Sequence, residues 1–141
     1  KLILERLLSL INGYLNDLSS VKDVKFSEYS NDIKLQRFVE RTLHIAIEAC
    51  LDIGNHIISD LGLREPEDNR DIFKILAENG IITEKLQKRL QDMASFRNLI
   101  VHSYAKIDNE IVFGILKKRL GDIEEFMKVV SKPINSRKHQ K

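Results

Sequence analysis

The sequence predicts an all-α protein, an up-and-down bundle of four long helices plus one short helix. Three observations carry that prediction. Glycine occurs 6 times and proline 2 times in 141 residues, too few for the turns of a β-rich chain. Apolar residues recur at spacings of three and four rather than two. A content of 43 % hydrophobic and 31 % charged residues is that of a chain that closes around one core.

The elements follow in order. Ile3, Leu7, Leu10, Ile11, Tyr14 and Leu18 form a helical stripe over residues 2–18. Asp17 to Asp32 is polar and weakly periodic, and reads as a connection. Residues 33–61 form the longest helix, with Leu35, Val39, Leu43, Ala46, Cys50, Ile57 and Leu61 on one side. The acids around Pro66 mark a loop. Asp68 is placed to cap a short helix bearing Ile72, Phe73, Leu76 and Ala77, which Gly80 ends. Thr83 is placed to cap a fourth helix reaching about residue 103. After a turn at Lys106 to Asn109, a last helix runs from Glu110 to Ser131, before Pro133. The domain therefore spans residues 1–131, and residues 132–141 form a basic tail expected to be frayed.

Charge narrows the function classes. The chain carries 23 Lys and Arg against 21 Asp and Glu, a net +2, but the last ten residues hold four bases and no acid. The body alone is at −2, so any nucleic-acid site must be a local patch. Lys85, Lys88, Arg89 and Lys106 are candidates for a basic rim. No apolar run approaches the ~18 residues of a membrane span, and no secretory leader is read. A chain that begins at Lys1 is nevertheless expected to have residues before it. The single cysteine, Cys50, excludes an internal disulfide and suits a reducing cytosol. There is no glycine-rich phosphate loop, no GxSxG and no CxxC. His44 and Glu48 stand one turn apart, but without a second histidine at ligand spacing they read as a polar helix face rather than a metal site. No cofactor is expected.

One residue does not fit a plain bundle. Stepping about 100° per residue along the fourth helix, the apolar stripe is Leu86, Leu90, Met93, Arg97, Ile100 and Tyr104. A guanidinium cannot shed its charge, so Arg97 needs a carboxylate partner, or its face opens onto a groove or a second subunit. Glu48 and Asp52, on the polar face of the long helix with Arg41 and Asn55, are candidate partners. In a regular helix His102 points about 140° away from Arg97. A site combining the two requires either unwinding near Val101 or two chains.

The text Arg97-Asn98-Leu99-Ile100-Val101-His102-Ser103-Tyr104 resembles the RxxxxHxY motif of the HEPN superfamily, in particular its HepT-like toxin ribonucleases. The long-helix segment Glu40 to Gly54 and the segment Phe73 to Ile82 are similar to the same family, and the likeness covers roughly residues 1–130. The resemblance implies a prokaryotic, cytoplasmic, metal-independent endoribonuclease that works as a homodimer, the toxin of a toxin–antitoxin pair. It implies that Arg97 and His102 are catalytic and that Asn98 supports them. It also implies that Tyr104 is the site where a cognate minimal nucleotidyltransferase antitoxin of the MntA type attaches AMP.

The chemistry is sound on its own terms. Histidine titrates near neutrality and serves as acid or base, and a guanidinium holds two phosphate oxygens. A two-fold dimer supplies acid, base and two guanidinium groups. The rival reading is a non-catalytic helical partner or substrate-presenting module of a nucleotidyltransferase. A pure scaffold, however, has no need of an arginine on its apolar stripe. Tyr104→Phe is expected to retain RNA cleavage and to escape adenylylation. Intact mass after incubation with the antitoxin and ATP checks this, and an added AMP on the Phe variant would refute the assignment.

Overall fold

The computed structural model describes residues 2–102 and 107–132. Seven helices lie among them: α1 (Leu2–Ser19), α2 (Phe26–Ser30), α3 (Ile33–Asp60), α4 (Asn69–Glu78), α5 (Glu84–His102), α6 (Asn109–Lys118) and α7 (Leu120–Val130). The long-helix bundle stands as the apolar spacing predicts, with two corrections.

The stretch expected to be a plain connection contains α2. Its single turn buries Tyr29 completely against the Phe113 ring, at a centroid distance of 5.7 Å. Five residues are too few to show a helical period, so the sequence pattern was silent there. The last helix is broken in two at Arg119 (φ −115°, ψ −1°). At the break Arg119 Nε donates to Asp122 Oδ2 at 2.7 Å while Arg89 Nη1 donates to Asp122 Oδ1 at 3.0 Å. Asp122 is buried, and a buried carboxylate persists only when so paired. Arg89 also binds Glu125 at 2.8 Å. Arg89 is thus spent on clamping α5 to α7 and is not available for the basic rim read from the sequence.

The helix ends are specified locally. Asp32, Asp68, Thr83 and Asp108 each accept a backbone N–H of the helix they open. Gly62 (φ 65°) and Gly80 (φ 72°) close α3 and α4 in left-handed geometry. Leu63 N–H then donates to Ile58 O and Ile81 N–H to Leu76 O, each at 2.9 Å. Arg64 grips Asp71 with two bonds of 2.7 and 2.8 Å, tying the intervening loop to α4 and holding the Asp71 carboxyl down at about 2.

α3 is the centre, packed against all six other helices. Its inward face, including Val39, Leu43, Ala46, Cys50 and Ile53, is almost wholly buried. Burial pushes the Cys50 thiol up to about 12. Gly54 lets α4 come close: a Cβ there would meet Ile72 Cγ2 well inside van der Waals contact. Alanine would gain about 1 kcal/mol of helix propensity, but overpacking costs about 1–3 kcal/mol. Stability by urea denaturation is therefore expected to fall in the order Gly54, Gly54→Ala, Gly54→Val. A more stable alanine variant would show that the α3–α4 contact is loose.

Candidate active site

The site is assembled by two helices that cross with their polar edges together. On α3, His44 and Glu48 sit one turn apart on the half-exposed face. On α5, Leu86, Leu90, Met93, Ala94 and Phe96 are buried, which leaves Arg97 at the margin of the apolar stripe. Its side chain is 23 % exposed and that of Glu48 34 %, so both reach solvent at one end.

Glu48 is the partner that Arg97 requires. Arg97 Nε donates to Glu48 Oε2, and Nη1 donates to Asn98 Oδ1 at 3.1 Å. His44 Nε2 lies 3.5 Å from the same carboxylate oxygen. Among the described residues Nη2 has no partner. The guanidinium is therefore fixed by two bonds while one nitrogen is left for an anion. Asp52 does not reach Arg97. It stands one turn beyond Glu48, exposed, and partial desolvation followed by the charge of Glu48 raises its carboxyl above the ordinary carboxylate value. No group of three or more His, Cys, Asp or Glu able to hold a metal occurs among the described residues.

α5 remains helical through His102, so no unwinding at Val101 brings the histidine round. His102 is exposed in the last turn, about 140° from Arg97. Asn98 lies one turn before His102 on the same side of α5, and its amide oxygen accepts from Arg97. Leu99, also on the His102 side, is 42 % exposed. Tyr104 and Lys106 lie outside the described residues. Sequence reading offered Glu48 and Asp52 alike as partners of Arg97, and it missed the Arg97–Asn98 bond, because adjacent residues do not face each other in a helical projection.

Comparison with known proteins now bears on this arrangement. The family model described as "Ribonuclease HepT-like" matches residues 11–130. The chain is 38 % identical to the mRNA nuclease HepT of Shewanella oneidensis over 104 residues, covering 74 % of this chain and 78 % of that protein. It is 32 % identical to the tRNA nuclease HepT of Aphanizomenon flos-aquae, covering 79 % of this chain and 76 % of that protein. Its fold is similar to the tri-AMPylated Shewanella oneidensis HEPN toxin solved in complex with its MNT antitoxin, with a TM-score of 0.86 and 32 % identity over 93 % of this chain and 98 % of that one.

The Arg97–Glu48 pair is half in water, so its contribution to stability is small, about 1 kcal/mol or less. Glu48→Ala is expected to lower the urea midpoint slightly at low salt and less at 1 M salt, where screening weakens the lost attraction. An unchanged midpoint at low salt would show that the pair serves geometry alone.

Proposed function

This chain belongs to the HepT-like ribonuclease family, and from that premise we propose that it is a metal-independent endoribonuclease, the toxin of a pair with a nucleotidyltransferase. The observation that carries the reading is the arginine of the Arg97-x4-His102-x-Tyr104 motif, held by Glu48 and Asn98 with one guanidinium nitrogen free. Such a group binds a phosphodiester through its non-bridging oxygens and stabilises the charge that grows on them.

Cleavage then proceeds by attack of the RNA 2′-hydroxyl on the adjacent phosphorus. One His102 imidazole takes the 2′-proton as the new P–O bond forms. A second histidine, protonated, gives its proton to the departing 5′-oxygen. The products are a 2′,3′-cyclic phosphate and a 5′-hydroxyl. One chain offers one motif histidine, directed away from its own Arg97, so the reading requires a second copy. A homodimer facing its motifs across a two-fold axis supplies both roles, and the exposed Leu99 beside His102 is a surface such a copy would cover.

Regulation is read from the Tyr104 of the same motif. The Tyr104 hydroxyl attacks the α-phosphorus of ATP on the antitoxin, pyrophosphate leaves, and AMP remains two residues from His102. Its phosphate then competes with RNA for Arg97. The pair would act in the cytoplasm of a prokaryotic cell. The alternative, a non-catalytic partner of the nucleotidyltransferase, is favoured by one observation only: Glu48 already gives Arg97 a structural counter-charge.

The deciding experiment is RNA cleavage by the unmodified protein in EDTA, beside Arg97→Ala and His102→Ala. Wild type is expected to cleave, and both variants to lose at least ~100-fold while remaining dimers. Equal cleavage by all three, or none by the unmodified dimer, would transfer the case to the scaffold reading. Activity abolished by EDTA would remove metal independence.

A further inference from the structure

Within α3 the residues that precede the site form a second pattern. Lys34, Arg37, Arg41 and His44 fall on one helical stripe, within about 80° of arc, and the stripe continues to Glu48 and so to Arg97. Lys34, Arg37 and Arg41 are exposed. Among the described residues neither Lys34 nor Arg41 has an ion-pair partner, and Arg37 pairs only with Glu40, on its own helix. Glu40 is the sole acid between residues 33 and 47, and its side chain is turned inward at 9 % exposure. An otherwise slightly acidic body thus carries one local strip of positive charge.

Phe38 stands among these bases and is 40 % exposed. At the far end Arg37 lines a groove of about 460 Å³ with Asn31, Gln36, Ile107 and Asn109. Ile107 and Asn109 follow shortly after the His102 motif in sequence. From Lys34 to Glu48 the stripe measures about 21 Å at 1.5 Å per residue.

We propose that this stripe is a track for single-stranded RNA, leading a few nucleotides of the substrate from the polar groove to the scissile phosphate at Arg97. Lys34 and Arg41 bind flanking phosphates, and Phe38 stacks on a base. Spaced cations with an interleaved exposed aromatic ring are the pattern that holds single strands without demanding a sequence. The inference rests on the ribonuclease reading above and deepens it: it assigns the substrate path and favours an unpaired strand over a duplex.

The test is fluorescence anisotropy of a short fluorescein-labelled single-stranded RNA with the full chain carrying His102→Ala, so that binding is read without cleavage. In that background Lys34→Gln with Arg41→Gln is expected to weaken binding at least ~10-fold and to reduce the salt slope by about 1.4, since each phosphate contact on a single strand contributes about 0.7. Phe38→Leu is expected to weaken binding about 5-fold or more with an unchanged slope. All three positions are exposed, and thermal melts confirm folding. Parent protein that binds no RNA would overturn the ribonuclease reading and the track together. Parent that binds, with equal affinity and slope in the variants, would overturn the track alone. So would variants that lose dimer mass or antitoxin binding while RNA affinity stays unchanged, because the stripe would then be a protein interface.

Discussion

Among the described residues every other helix leans on α3, and that single constraint shapes the rest. A helix that contacts six neighbours must be apolar around most of its circumference, which explains its nearly continuous buried face from Val39 to Ile58. What the neighbours leave uncovered is a narrow strip, and the strip carries polar and charged residues because nothing there excludes water. Glu48 lies on it, and Arg97 reaches it from α5. The site is thus a by-product of packing geometry: two helices pressed together by their apolar faces bring their polar margins into register. Site precision comes from rigid elements rather than from loops.

The two charge clusters show how burial sets the value of a pair. Asp122 is almost fully enclosed and held by two arginines; removing both would strand a buried charge, at a cost of about 3–5 kcal/mol. Arg97 and Glu48 keep solvent access, where pairing contributes little to stability.

Much of this was legible in the sequence because helices announce themselves by period and by their caps. Asp68, Thr83 and Gly80 marked helix boundaries that the structure keeps. The misses have physical reasons. α2 is shorter than two turns, so it has no period to read, and the break at Arg119 sits where Arg89 reaches across from α5 to Asp122, a contact between distant residues that no local pattern encodes. At the site, the odd arginine on an apolar stripe was visible and called for a carboxylate. Glu48 and Asp52 were equal candidates, because helical projection gives the face but not the height at which a neighbouring helix crosses. The cationic strip at Lys34 to His44 was hidden by averaging: the body's net charge conceals a local excess.

Cys50 offers something the chemistry of the site does not use. It is the single thiol of the chain, sealed at the contact-rich middle of α3, with its proton held far above neutrality. A thiol so placed reacts with alkylating or disulfide reagents only when the core itself opens. The protein therefore contains its own clock for global unfolding. Its labelling rate reports the opening free energy of the native state in dilute buffer, free of denaturant, and in the presence of whatever partner the chain binds.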